Sequence, residues 1–256
     1  MAIALQSAAT NHNEILLPAG ASVSTSPLAT IAIGTLALLA IAWDDITKTP
    51  TTCADDSAQA GTANVWTSLT TKTHSGTGAA APGTAGRMSI YGCVLTRSIL
   101  TSNTVTLTLG GIPGQFRTAL AAFTGYSGPI TTNRVGAGET SDVQNTVSSA
   151  TMTPTLATVD AVAFGAVFTA AGGGLDTVPS GIPVWTELTD GFAGGTTQAF
   201  ESQHRLLATP ETIKLSAAYG GATNAAGICA AVVMANPGIP NDFNPGSRWA
   251  AGNIAG

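Results

Sequence analysis

The chain carries very little charge. Nine of its 256 residues are Lys or Arg and 14 are Asp or Glu, so charged residues make up 9%, whereas ordinary soluble domains have roughly 25%. The net charge of −5 comes with no basic cluster, which argues against nucleic-acid binding through phosphate neutralisation. A surface with so few charges must consist of hydroxyls, amides and backbone, and it suits a protein that is packed in an assembly or lies outside the cell.

The chain has only three cysteines, and its N-terminal residues do not have the features of an export signal. Cys53, Cys93 and Cys229 are far apart in the sequence. This spacing indicates neither a zinc site nor a disulfide framework, and we predict that the three are buried small side chains. The N-terminal residues lack a basic segment followed by a continuous apolar stretch. We therefore expect no signal peptide and synthesis in a host cytoplasm.

One long hydrophobic run is present, LATIAIGTLALLAIAW at residues 28–43. It is shorter than the roughly 20 residues of a membrane helix, and no Lys or Arg flanks it, so we predict no membrane span. Its Ala and Leu residues also favour a helix, but the breaker-rich flanks favour a strand. We predict a strand over Leu36–Trp43 that is buried on both faces, because a continuous apolar run replaces alternation there.

Other segments combine alternation with β-branched residues, and Gly-, Thr- and Pro-rich joints separate them. Many short strands with such turns indicate an all-β sandwich. The residues TSN between the first two segments suggest a hairpin. The predicted strands are Ser89–Leu100, Thr104–Leu109, Gln115–Tyr126, Ala161–Phe168, Gln198–Leu207, Thr212–Ser216 and Gly227–Met234.

Two sets of strands resemble copies of each other. VWTSLT at Val65–Thr70 matches VWTELT at Val184–Thr189. Arg97 and Arg205 each stand eight residues before an apolar strand residue. Each set has the same order of apolar strand, glycine-rich loop, VWT-x-LT element, hairpin and final apolar strand. The sequence therefore predicts an internally duplicated strand motif.

We predict that the two copies stack their apolar faces as an antiparallel two-sheet sandwich of jelly-roll type. Two small sandwiches are the alternative, but neither half is rich in large side chains. Extended N- and C-terminal arms are expected on either side. The predicted segments are 1–27 (N-terminal arm and first strand), 28–237 (sandwich, with halves 28–128 and 155–237 and crossover 129–154) and 238–256 (C-terminal arm).

The C-terminal segment 238–256 has no strand period. It is either disordered or an arm on a neighbouring subunit, and Phe243 and Trp249 are the candidate docking anchors of that arm. Trp66 and Trp185 occupy equivalent positions in the two copies. We predict that they are repeated core anchors, while a sugar-binding platform would need one of them, or Tyr126, exposed in a groove.

No catalytic, cofactor-binding or metal residues are predicted. His12, His74 and His204 lack metal-ligand spacing, and GYSGP at Gly125–Pro129 does not have the spacing of a nucleophile elbow. The glycine-rich stretches have no phosphate-binding motif. The pairs Asp44–Asp45 and Asp55–Asp56 could bind Ca²⁺ between strands, but such pairs are more typical of solvated loops.

The strand ending in Trp43, Asp44 and Asp45, followed by VWT-x-LT, resembles the β-sandwich structural proteins of tailed bacteriophages, of the minor tail or capsid decoration type. That family has a G-D-L-L-V strand, a G-W-x-x-L turn, a hairpin and a strand ending near G-V. This chain lacks the Asp after Gly34 and the Gly before Trp66. The equivalents are Gly34–Leu38, Val65–Leu69 and Ala121–Gly125, with Val184–Leu188 and Ala230–Met234 in the second copy.

The resemblance implies no catalytic residues. It implies a non-enzymatic virion structural protein that decorates the capsid or forms part of the tail, with major capsid or tail subunits as partners. We expect a homo-oligomer, with a trimer as one candidate. The alternative function is a carbohydrate-binding module that recognises a host surface or cell-wall glycan. No cofactor, nucleic acid or membrane is expected as a partner.

Overall fold

The fold is all-β. The computed structural model describes residues 2–16, 20–56, 63–74, 86–130, 134–142, 146–148, 160–171, 174–179, 185–192, 199–207, 212–220 and 226–236. Within these ranges the regular structure is 17 strands and one short 3₁₀ turn at Ser7–Ala9. The prediction of an all-β chain with antiparallel sheets is therefore confirmed.

The strands fall into an N-terminal half and a C-terminal half. The N-terminal half contains β1 (Ala4–Leu5), β2 (Asn11–Leu16), β3 (Ser22–Thr25), β4 (Leu36–Trp43), β5 (Pro50–Asp55), β6 (Thr67–His74), β7 (Gly86–Val94), β8 (Val105–Leu109) and β9 (Gln115–Thr124). The C-terminal half contains β10 (Arg134–Asp142), β11 (Thr146–Ser148), β12 (Ala161–Ala171), β13 (Gly174–Pro179), β14 (Thr186–Phe192), β15 (Ala199–Leu207), β16 (Ser216–Gly220) and β17 (Ala226–Ala235).

Each half forms one larger and one smaller sheet. In the N-terminal half the larger sheet has the order β1-β9-β4-β7-β6, with β2 also paired to β9, and the smaller has the order β3-β8-β5. In the C-terminal half the orders are β10-β17-β12-β15-β14 and β11-β16-β13. We call the larger sheets the inner sheets, because β6 packs on β10 and β17 across the boundary between the halves and β14 packs on β2.

The apolar side chains form three cores between the four sheets. A central core lies between the inner sheets, and an outer core fills each half between its inner and outer sheet. β4 contributes side chains to two of these cores. Leu36 and Leu38 belong to the central core, and Leu39 and Trp43 belong to the outer core of the N-terminal half. All eight β4 residues are buried, so the predicted strand Leu36–Trp43 is confirmed with both faces covered.

The predicted number of sheets is wrong, because the strands of the described residues form four sheets where the sequence indicated two. Each half has its own outer core. The sequence argument weighed only large side chains, but alanines let the sheets approach closely, so a few aromatics suffice to fill the space. Trp43 and Phe116 do this in the N-terminal half, and Trp185 does it in the C-terminal half.

The two halves share one strand order. β2 to β9 occupy the same places in their sheets as β10 to β17, taken in sequence. The VWT-x-LT elements also share an irregularity, because the register shifts between Ser68 and Thr70 and between Glu187 and Thr189. Such a shift marks a β-bulge. It falls at the leucine of the motif in both halves.

Three further predictions differ from the structure. The residues TSN do not join a hairpin, since β7 lies in the inner sheet and β8 in the outer sheet. The predicted crossover 129–154 contains β10 and β11. Arg97 follows β7 whereas Arg205 lies within β15, so the two arginines are not equivalent. The strand β10, with the sequence RVGAGETSD, was hidden by its polar residues. The other two predictions failed because spacing along the chain does not show which sheet a segment joins.

The N-terminal segment 1–27 contributes β1 and β2 to the inner sheet of its half and β3 to the outer sheet. At the end where β4 and β12 begin, which we call the upper end, it also meets the C-terminal half. The Ile3 N–H donates to Asp160 Oδ1 at 2.9 Å. Asn236 Nδ2 donates to the Gly125 carbonyl and to Asp160 Oδ2, each at 3.0 Å. Equivalent strand ends of the halves therefore lie at the same end.

We expect Gly125→Ala to lower the free energy of unfolding more than Gly34→Ala. Both glycines have a positive φ, 77° and 80°, so alanine carries a left-handed backbone penalty of roughly 1–2 kcal/mol at either site. Only at Gly125 would the new methyl meet backbone, 2.1 Å from the Ala2 oxygen, whereas Gly34 has open space. The clash adds about 1–3 kcal/mol. Urea unfolding measures both variants, and equal losses would contradict the close approach.

A second prediction concerns pH. The buried His204 lies 5.9 Å from the Phe123 ring at the boundary between the halves, and desolvation lowers the pKa of His204 despite its backbone hydrogen bond with Thr186. The unfolded chain takes up this proton near pH 6.5. Stability is therefore fully present above about pH 6.5 and falls as the pH drops below it.

The variant His204→Gln should remove this dependence. Urea unfolding between pH 7.5 and 5.5 should show a slope of up to about 1.4 kcal/mol per pH unit in the wild type and a flatter profile in the variant. Superimposable slopes would mean that the imidazole is not desolvated in the folded protein.

Candidate functional site

The two aspartate pairs do not form one calcium site. Asp44 follows the end of β4, at the end of the molecule opposite the upper end, which we call the lower end. Its Oδ1 accepts from the N–H groups of Gly114 (2.8 Å) and Gln115 (3.0 Å). Asp55 lies at the other end of β5, about 17 Å from the start of that strand. In the described ranges no group of three or more His, Cys, Asp or Glu side chains could hold a metal ion.

The remaining members of the pairs also serve local structure. Asp45 Oδ1 accepts from the N–H and hydroxyl of Thr47 at 2.8 and 2.7 Å. Asp56 Oδ1 accepts from the Thr104 N–H at 2.6 Å, and this hydrogen bond holds the pKa of Asp56 below its ordinary value. These carboxylates order loops, as is typical of Asp in turns.

The densest polar cluster of the N-terminal half surrounds Asp55 at the upper end. Its Oδ2 accepts from Trp66 Nε1 at 2.7 Å and its Oδ1 accepts from Asn64 Nδ2 at 3.2 Å. Both Asp55 and Asn64 are buried. The cluster holds the end of β5 against the residues that lead into β6.

Asn64 extends this cluster to a third segment. Its Oδ1 accepts from the N–H groups of Thr96 (2.9 Å) and Arg97 (3.0 Å), and its Nδ2 donates to the Arg97 carbonyl at 3.2 Å. The Asn64 amide thereby satisfies backbone groups where the chain leaves β7 and crosses to the outer sheet. No sequence pattern indicates this role, because the three segments are distant in the chain.

The thiols beside this cluster are protonated at neutral pH. Burial, assisted by the charges of Cys93 and Asp55, raises the pKa of Cys53 to about 12. Burial and the Asp55 charge raise the pKa of Cys93 to about 12 as well. A thiol in this state is a poor nucleophile and metal ligand. Cys93 and Cys229 are buried as predicted, while Cys53 is half-buried.

The aromatic side chains proposed for sugar stacking are covered. Trp66, Trp185 and Tyr126 are 9%, 2% and 5% exposed, and the two tryptophans lie in the outer cores of their halves. They differ in one respect. Trp66 Nε1 donates to Asp55, whereas Trp185 Nε1 has no acceptor among the residues that the structure describes.

Exposed apolar side chains are concentrated at the upper end of the N-terminal half. Val65 precedes the buried Trp66, Leu100 follows the bridge between Ile31 and Ile99, and Leu28 and Ile33 flank the same bridge. Leu28, Ile33 and Val65 are about two-thirds exposed or more, at 67%, 65% and 72%. We call Leu28, Ile33, Val65 and Leu100 the upper apolar surface. Because such a surface is costly in water, it is a candidate docking site.

The other predicted site residues are placed as follows. The anchors Phe243 and Trp249 lie outside the described residues, and so do the side chains of His12 and His74. No helix in the described part of the chain is long and apolar enough to span a membrane.

No protein-family model, curated protein or solved structure matches the chain. The resemblance to phage structural proteins therefore stays a prediction.

The two tryptophans offer a matched test of the Asp55 cluster. Trp66→Phe and Trp185→Phe remove the same atoms from two outer cores, but only Trp66→Phe removes the donor to Oδ2 of the buried Asp55. We expect Trp66→Phe to cost about 1–3 kcal/mol more in unfolding free energy, because removal of the unpaired Trp185 N–H offsets part of that loss. Urea unfolding measures the cost of both substitutions. When each is made in a protein that already carries Asp55→Ala, the difference between the two costs should disappear. Equal costs would argue against the Asp55 hydrogen bond.

Proposed function

We propose that the chain is a non-enzymatic virion structural protein of a tailed bacteriophage, which decorates the capsid or forms part of the tail. The observation that carries the proposal is the upper apolar surface on a protein with only 9% charged residues. Few charges leave shape and apolar contact as the means of recognition. The virion is the proposed location, and major capsid or tail subunits are the proposed partners.

We also propose that each half is a jelly roll and that the halves arose by duplication of one strand motif. Eight strands per half in two antiparallel sheets, with the last strand inserted between the first and third, support a jelly-roll connection. The shared strand order and the shared bulge at Leu69 and Leu188 support duplication. Jelly rolls are common in viral coats, although a fold alone does not assign a function.

The proposed mechanism is docking without chemistry. The upper apolar surface and segment 238–256, with Phe243 and Trp249 as anchors, would contact neighbouring subunits. A homo-oligomer, with a trimer as one candidate, follows from the symmetry of such assemblies. The glycan-binding alternative is not favoured by any described residue, since Trp66, Trp185 and Tyr126 are buried.

The proposal predicts that the protein is a component of phage particles. Particles purified by density gradient from a culture that produces this chain should contain it in fixed ratio to the major coat protein, as measured by quantitative mass spectrometry. Hundreds of copies would indicate the head shell or tail tube, and a handful the tail tip. A variant lacking residues 238–256 should fold but fail to join particles.

Absence of the protein from intact particles would contradict the proposal. Normal incorporation of the shortened variant would contradict the docking role of the segment. Ile112→Ser, which changes an exposed side chain between β8 and β9 at the other end of the molecule from the upper apolar surface, serves as a control that should be incorporated like the wild type.

A further inference from the structure

We propose that the upper apolar surface binds segment 238–256 of a second copy of this chain, with Phe243 and Trp249 as the buried anchors. The inference rests on the proposed function, because it takes this segment to be a docking arm. It adds the surface that receives the arm and identifies the partner as another copy of the same protein.

The surface is displayed on a fixed framework. The Ile31 and Ile99 backbones exchange two hydrogen bonds, at 2.9 and 3.0 Å, and the Gly34 N–H donates to the Leu95 carbonyl at 2.8 Å. Asn64, which precedes Val65, is held by Asp55 and by the backbone of Arg97. The exposed side chains are therefore presented in set positions, which reduces the entropic cost of binding.

The last described residue, Asn236, lies at the same end of the molecule as this surface. β17 runs toward the upper end, and Asn236, the next residue, is fixed there. Asn236 donates to the Gly125 carbonyl and to Asp160, and its Oδ1 accepts from the Ser127 N–H at 2.8 Å. The arm therefore departs from the same end of the molecule that carries the exposed apolar side chains.

The residues after Asn236 favour a neighbour over the arm's own surface. Pro237 and Pro240 disfavour helical conformations at the residues that precede them, Asn236 and Ile239, so the sequence favours an extended segment here. When extended, the chain from Asn236 reaches about 23 Å at Phe243 and about 43 Å at Trp249. Both anchors can therefore reach an adjacent copy.

The composition of the arm matches the surface. Asp242 and Arg248 are the charged residues of segment 238–256, so little desolvation opposes burial of its aromatic side chains. Because each copy gives its arm and receives one at the same end, the exchange can close on itself in a small symmetric oligomer. Donor and acceptor sites at opposite ends would instead propagate as a fibre.

The test compares the masses of four proteins by light scattering across a range of concentrations. They are the wild type, the surface variant Leu28→Ser/Ile33→Ser, the arm variant Phe243→Ala/Trp249→Ala, and the control Ile112→Ser. Ile112 is 56% exposed and lies between β8 and β9 at the lower end. We expect a small multiple of 25.4 kDa for the wild type and control, and a single chain for the other two.

A mixture of the surface variant and the arm variant distinguishes an arm that binds a second copy from an arm that binds its own copy. The surface variant keeps an intact arm and the arm variant keeps an intact surface, so a mixture of the two should regain a complex that neither forms alone. Circular dichroism should show unchanged strand content in all four proteins, because the substituted side chains of the surface and control variants are exposed.

Two results would overturn the inference: a wild type that stays a single chain at every concentration, or an oligomer that survives both double substitutions. Such an oligomer would leave the virion proposal standing. A protein that loses its oligomer as expected but is absent from particles would overturn the virion proposal alone.

Discussion

The structure depends on the burial of two inner sheets against each other. Each inner sheet must be apolar on both faces, since one face meets its partner and the other meets an outer sheet. Small side chains at the contact, such as Ala40, Ala121 and Ala166, allow the close approach that dispersion contacts require. This requirement explains why β4, β12 and β17 are continuous apolar runs, while the inner strands β9 and β15 also bury polar side chains such as Arg117, Glu201 and Gln203.

The VWT-x-LT elements connect the two kinds of core. Trp66 enters the outer core of its half and Leu69, at the bulge, enters the central core; Trp185 and Leu188 do the same in the other half. Each tryptophan directly precedes its edge strand and each leucine lies at the bulge of that strand, so the edge strand is held on both sides. The repetition of the motif is thus explained by a repeated physical task.

The strands of the inner sheets could be predicted because their signal is local. β4 was predicted residue for residue, and β9 and β17 within one or two residues at their ends. Among the outer strands, β8 was predicted within one residue, whereas β5 was missed because its sequence PTTCAD has Thr where it meets solvent and few large apolar residues. The cluster of Asp55, Asn64 and Thr96 could not be predicted, since only the folded topology brings these separate segments together.

The place of the last strand in each half governs the order in which this protein can be built. β9 lies between β2 and β4, and β17 lies between β10 and β12, so neither inner sheet closes until its final strand has left the ribosome. Pairings of such long sequence separation form slowly. Throughout the synthesis of the C-terminal half, the finished N-terminal sandwich presents a bare apolar face. A nascent chain of this kind is prone to aggregation, so we expect its folding yield to vary with the speed of translation.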